Sequence, residues 1–477
     1  MGRMGGRGAR FLPVTLLGVV LAACTSAPVP APTGSSPVAL SPAAPSPASP
    51  SAPTMASPSP FEQPAWTTYH ADERRSGVDP SVSRLGDVGR VWTSTQLDGA
   101  VYAEPLVFGD SVFVATEGDS VYALDEVSGE VAWRTNLGDP IPQSDLPCGN
   151  IDPTGITGTP VIDPAGGLLY AVAFVQPGRH ELVALDVSDG HVRFRRSFDP
   201  PGLDPLVEQQ RAALTITGGR VFAAFGGLFG DCGEYHGAAV GVALDGSGPL
   251  LSYRVPSGRA AGIWAPSGPA VDPSGNLLVA TGNSDSGSGF DFGDAVIRLS
   301  PDLEEIGWFA PSNWAALNTG DVDLGSVGPA VLSNGLAFQI GKEGVGYLLT
   351  PDDLGQIGGE AFSAGVCDSA FGGTASMGPF VFVPCTDGLV ALRVRSGPSF
   401  SVRWRTPEFQ AGPPVVSGGA VWSVDIGSGD LIAFDAGDGR EVFRARLGAI
   451  THFATPAAVS GRLYVAATDR VVAFGGV

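Results

Sequence analysis

Between Gly262 and Tyr347 two consecutive segments repeat one pattern: a proline opens an apolar strand, a second apolar strand follows, and a polar loop ends the unit. The first copy carries Trp264 five residues before Pro269 and Asn283 fourteen after it. The second carries Asp321 eight residues before Pro329 and Lys342 thirteen after it, with Asp323 beside Asp321 in G-D-V-D. Carboxylates and a carboxamide are the oxygen donors a hard divalent ion takes, and a carboxylate can also accept a proton. Such side chains act together only if their loops share a face, so the elements that carry them decide the matter.

Those elements are short strands. The 477 residues include 68 Gly and 41 Pro with only 16% charge, and brief Val/Ala/Leu/Phe runs broken by Gly, Asp and Ser. That composition reads as all-β with many turns. Three segments align without gaps: Ala123 to Trp133, Ala184 to Phe194 and Ala433 to Phe443, each A-x-D-x-x-x-G-x-x-x-aromatic. The pattern is strand, tight turn with a positive-φ glycine, then a strand bearing a large ring. With the Pro-led strand and its partner upstream, one unit has four strands, A to D.

Strand A starts at Pro105, Pro160, Leu214, Pro269, Pro329, near Ser376, Pro414 and Pro456, which makes eight units. The last unit runs out after strand C, and Arg90 to Ser94 supplies a strand D. The expected fold is an eight-bladed β-propeller of four-stranded antiparallel blades, closed by the N-terminal strand so that no long edge is exposed. The rings Trp92, Trp133, Phe194, Tyr253, Trp308, Trp404 and Phe443 fall on strand D, where they are expected to pack between blades.

In such blades the B–C and D–A connections emerge at one end. The A–B and C–D turns here are terse, whereas Asn283, Lys342 and Glu234 fall in B–C loops and Trp264, Asp321, Arg211 and His452 in D–A loops. One face therefore carries the chemistry. Cys367 and Cys385 fall at that end of one blade, and Cys148 and Cys232 on the same face, which predicts disulfides Cys367–Cys385 and Cys148–Cys232.

Several motifs resemble those of the pyrroloquinoline-quinone (PQQ) dehydrogenases, across about residues 64 to 477. These are Trp66-x-x-Tyr69 with Arg75, Glu234-YHGAAVGV-Ala243-L-Asp245, Trp264 ahead of DPSGNLLVATGN, Gly320-Asp321-Val322-Asp323, and Lys342-EGVGYLL. The resemblance implies that PQQ and Ca²⁺ bind at the channel mouth. Glu234, Asn283 and Asp321 would ligate Ca²⁺, Trp264 would stack beneath the quinone, and Lys342 would bond its oxygens. Asp321 or Asp323 would act as general base in a PQQ-dependent oxidation of an alcohol or polyol. The adjacent cysteines common in that family are absent, and without a C-x-x-C-H motif electrons would pass to a separate acceptor. The alternative of another class is a non-catalytic propeller scaffold that binds a protein or glycan partner on the same face, as an envelope-assembly lipoprotein would.

Residues 1–24 read as a signal peptide: Arg3, Arg7 and Arg10, an apolar run from Phe11 to Leu21, then Leu21-Ala22-Ala23-Cys24. The last four resemble the bacterial lipobox, implying lipid on Cys24 and a membrane-anchored, extracytoplasmic protein of a bacterial envelope. Residues 25–60 hold eleven prolines and no charge. That spacer builds no core and could extend roughly 110 Å at about 3.1 Å per residue. Residues 61–477 form the propeller. The formal charge of −21 repels nucleic acid and tolerates cationic ligands such as Ca²⁺.

Overall fold

The computed structural model describes residues 65–84 and 86–476. The expected signal peptide, Cys24 and the spacer lie outside them.

Eight small sheets follow one another along the chain, each an antiparallel A–B–C–D blade. Blade one is Leu106–Phe108, Ser111–Thr116, Ser120–Asp125 and Val131–Asn136. Blade eight takes Ala457–Val459, Arg462–Ala466 and Val471–Gly476 from the end of the chain and Val88–Thr93 from its start. Trp92 lies opposite Ala473 and Thr93 opposite Val472. The ring is thus closed by the N-terminal strand, two residues earlier than the sequence indicated.

The repeated turn explains its own consensus. The aspartate accepts the turn's backbone N–H groups: Ser128 on Asp125 at 2.7 Å, Ser188 on Asp186 at 2.9 Å and Gly437 on Asp435 at 2.9 Å. The glycines follow at φ of 73°, 71° and 76° (Gly129, Gly190, Gly439). The strand-D ring of the preceding blade lies on each glycine, so that a Cβ would meet Trp92, Trp133 or Trp404 at 2.5 to 2.7 Å. Each indole also donates to the neighbouring blade, Trp92 to Glu126 O at 3.1 Å, Trp133 to Val187 O at 3.2 Å and Trp404 to Ala436 O at 3.0 Å. One consensus residue therefore serves the turn and the blade interface together.

A single segment, Ala65 to Asp79, reaches every blade. Ala65–Trp66 pairs with strand A of blade one. The carbonyls of Thr67, Glu73, Arg74, Ser76 and Gly77 accept from Ile162, Val271, Val331, Ser376 and Val416, on strands A of blades two and four to seven, at 2.7 to 3.0 Å. The buried Arg75 donates to the carbonyls of Leu214 and Pro269 at 3.1 Å, joining blade three to blade four. Asp79 Oδ2 accepts from Gly461 of blade eight at 3.1 Å. The segment thus supplies partners for backbone groups at the inner edge of the ring, which would otherwise lie unpaired.

Candidate functional site

The B–C and D–A loops of the blades enclose a cavity of about 680 Å³. Its lining includes Trp264, Asn283, Asp321, Asp323 and Lys342, five of the six side chains singled out from sequence.

Blade four supplies the floor. Gly282 precedes Asn283, and a Cβ on it would stand 2.9 Å from Trp264 Nε1 and against Asp323 Oδ1. The bare glycine lets this loop close on both. Asn283 then donates its backbone N–H to Asp323 Oδ1 at 2.7 Å and its Nδ2 to Asp321 Oδ1 at 3.0 Å. Its Oδ1 is hidden from solvent and has no hydrogen-bond partner among the described residues.

The D–A connection of blade four contains a helix, Trp314–Gly320, that the sequence reading did not anticipate. Asp321 caps its C-terminus in the left-handed region, φ 53°. That turn sets Asp321 and Asp323 on either side of Lys342. Its Nζ lies 2.8 Å from Asp321 Oδ1 and 2.5 Å from Asp323 Oδ2. Asp321 is largely exposed, while the Asp323 side chain is only 10% accessible. Burial pushes the Asp323 carboxyl up, and Lys342 and the Asn283 N–H pull it back only in part. The two carboxylates hold the Lys342 ammonium above its usual value against desolvation.

Glu234 is not brought to this group. It is exposed and does not line the cavity. Its neighbour Tyr235 takes the inward place, buried, with its hydroxyl donating to Asp231 Oδ1 at 2.7 Å and its ring 5.4 Å from the Arg259 guanidinium. The ligand trio Glu234, Asn283 and Asp321 is therefore not assembled. A hard divalent ion takes six to eight oxygens, several of them anionic. Of the four aspartates that line the cavity, Asp321 and Asp323 face the Lys342 ammonium, Asp285 faces Arg259 and Asp231 accepts from Tyr235, so the donor set does not fit Ca²⁺ as the resemblance implied.

Arg211, noted in sequence only for its loop, lines the cavity beside Trp264. Its Cζ lies 6.0 Å from the ring centres of both Trp264 and Phe453. Its significance comes from its surroundings in space, which no local pattern announced. Two disulfides brace this face: Cys148–Cys232, with Cα atoms 6.1 Å apart, and Cys367–Cys385, also at 6.1 Å. The first ties the entry to blade two to the cavity-lining loop Gly227 to Asp231.

Comparison with known proteins agrees with this architecture. A stretch of 87 residues is 33% identical to the outer membrane protein assembly factor BamB of Burkholderia pseudomallei (strain K96243), covering 18% of this chain and 23% of that protein. Among solved structures, a quinohemoprotein alcohol dehydrogenase from Pseudomonas putida HK5 superposes with a TM-score of 0.66 at 13% identity, over 86% of this chain and 80% of the other. BamB from Moraxella catarrhalis superposes at 0.55 with 16% identity, over 82% and 98%. At those identities the likeness concerns the fold. The profile of the family described as outer membrane protein assembly factor BamB, a PQQ-type repeat family, matches residues 79–286 and 386–474. With more than half of its length matched, the chain belongs to that family of PQQ-like β-propellers.

Proposed function

We propose that this chain is a binding propeller of the bacterial envelope, which holds a protein partner on its B–C and D–A face and carries no Ca²⁺/PQQ dehydrogenase activity. The observation that carries the reading is the Lys342 ammonium between Asp321 and Asp323 with Glu234 outside the cavity. A general base for alcohol oxidation must be free to take a proton, and both candidates are engaged by a cation. The relative from Burkholderia pseudomallei is named for outer-membrane assembly, which supports a protein partner. Lipid on Cys24 would hold the propeller at the membrane; no helix among the described residues is long and apolar enough to cross one.

Titration of the purified protein with PQQ, with and without Ca²⁺, tests this through Trp fluorescence and dye-coupled alcohol oxidation. No Ca²⁺-dependent quenching and no turnover are expected at micromolar PQQ. Saturable Ca²⁺-dependent binding with turnover overturns the reading. The anchor has its own test: Cys24→Ser should leave the membrane fraction, and retention there at wild-type levels refutes lipidation.

A further inference from the structure

The C–D hairpin of blade six departs from the repeat in its charge. Ala391 lies opposite Trp404, as Ala123 lies opposite Trp133, Ala184 opposite Phe194 and Ala433 opposite Phe443. Two residues after that alanine the other three hairpins carry Asp125, Asp186 and Asp435, and blade six carries Arg393. From Gly388 to Thr406 the hairpin contains Arg393, Arg395, Arg403 and Arg405 and no acid, in a chain whose formal charge is −21.

All four are exposed, and none makes an ion pair among the described residues. Arg395 reaches the Ser401 hydroxyl at 3.5 Å and Arg405 the Val366 carbonyl. Strand D of blade two is also rich in arginine, but there Arg193 sits on Asp186 and Arg195 on Glu181. In blade seven Asp430 holds Arg444 and Arg446 at 3.0 and 3.4 Å. An edge strand needs charge to ward off pairing, and those two edges meet that need with matched arginines. The neighbours of blade six do not supply the missing acids. Strand D of blade five, Phe362–Gly365, is uncharged. The blade-seven turn that packs on Trp404 points Asp438 at the Arg440 N–H, at 3.0 Å, and Glu441 at Arg444, at 2.8 Å.

We propose that the outer edge of blade six is a docking surface for an anionic lipid bilayer, with its four guanidinium groups on lipid phosphates. The guanidinium fork matches phosphate oxygens, and Val402, 42% exposed beside Arg403, adds apolar contact. The outer edge of a ring is convex and meets a flat surface without needing a cleft. The rest of this acidic chain is repelled by the same bilayer, so the contact is confined to one edge and sets an orientation. With blade six against the lipid, the axis of the ring lies along the bilayer and the B–C and D–A face opens sideways, clear of the headgroups. This surface goes beyond the scaffold reading and does not require lipid on Cys24.

The test places an environment-sensitive fluorescent amino acid in the full chain, either at Ser396 in the exposed hairpin turn or at Ser197, exposed at the end of strand D of blade two. Phosphatidylglycerol and phosphatidylcholine vesicles are then compared. The response at Ser396 should be at least about fivefold larger on the anionic vesicles, and about 0.5 M salt should abolish the difference. The probe at Ser197 should stay silent on both. Arg393→Glu combined with Arg403→Glu should remove the Ser396 response. Equal response at Ser396 on the two lipids, equal response at the two positions, or none on anionic vesicles at about 1 mM lipid overturns the proposal. A Ser396 response to polyglutamate with none to vesicles also overturns it and assigns the edge to an acidic polypeptide. Flotation on phosphatidylcholine reports the Cys24 anchor separately, so loss of the anchor is not mistaken for loss of this contact. The comparison in the parent chain decides even if the double variant fails to fold.

Discussion

Lys342 Nζ lies 2.5 Å from Asp323 Oδ2, and that contact joins the B–C loop of blade five to its D–A entry. The pair is substantially buried, with side-chain accessibilities of 22% and 10%. Removing one partner of such a pair leaves the other charge without compensation. Lys342→Met should therefore cost about 3 kcal/mol near neutral pH. The sign with pH is fixed by Asp323, whose carboxyl is already raised by burial and loses the cation that lowers it. Once protonated it no longer needs a partner, so the deficit should be larger at about pH 8 than at about pH 5. Chemical denaturation at both values checks this, and an equal deficit would argue against the pair.

Several carboxyls elsewhere are raised by burial: Glu117 to about 7, Glu208 and Asp294 to about 8, and Asp119 to about 9. Each folded-state pKa lies above its unfolded value, so the folded chain binds more protons. The stability this gives is complete at low pH and is lost as pH rises through 7 to 9. His70 and His452 are held down to about 3 and about 4 and act in the opposite sense, but only below their ordinary value of 6.5. Between about pH 7 and about pH 9 the carboxyls act alone among these groups, and the melting temperature should fall. Asp119→Asn should flatten that slope, because asparagine tolerates the φ of 53° at this position and does not titrate. A melting temperature that rises over this interval refutes the assignment.

The turn glycines offer a test of the repeat itself. A Cβ on Gly129 would stand 2.5 Å from the Trp92 ring, at a φ of 73° that also disfavours a side chain. Gly129→Ala should destabilise by about 1–3 kcal/mol. Gly219, at φ 72° with nothing near its Cβ position, isolates the backbone contribution. If the two alanine variants unfold alike, the ring contact contributes nothing.

The sequence made the architecture legible because one consensus serves two purposes at once. Asp125, Gly129 and Trp133 must keep their spacing for the turn to form and for the ring to meet the next blade, and that constraint repeats along the chain. The cavity residues were legible for a related reason. Trp264, Asn283, Asp321 and Lys342 sit at fixed distances from Pro269 and Pro329, and the strands convert those distances into places on one face. Glu234 shows where this stops. Loop Gly227 to Tyr235 is irregular and tied by Cys232, and a one-residue change of direction puts Tyr235 inside and Glu234 outside. Arg211 escaped for the opposite reason: what singles it out is its place beside the rings of Trp264 and Phe453, which is a relation in space. The role of Arg75 was hidden too, since its acceptors at Leu214 and Pro269 lie far along the chain.

The N-terminal segment yields the sharpest stability contrast. Ala65 to Asp79 bonds to all eight blades, and Val88–Thr93 completes the last one. Removing residues 61–95 would strip partners from the inner strands and reopen an edge at blade eight, where Ala473 faces Trp92. The truncated ring should lose most of its cooperative melting transition. Deleting 26–58, which lies outside the described residues and has the composition of a solvated spacer, should leave the melting temperature unchanged. Arg75→Met refines the contrast without altering chain length. It removes the guanidinium from the carbonyls of Leu214 and Pro269, which keep the Thr68 and Thr215 hydroxyls at 3.4 and 2.9 Å, and each hydrogen bond lost from the charged donor costs about 1.5–3 kcal/mol. Differential scanning calorimetry on the three variants should rank 61–95 deletion as most damaging, Arg75→Met next and 26–58 deletion as silent. If the spacer deletion costs as much as loss of the strap, closure by the N-terminal segment is not what holds the ring.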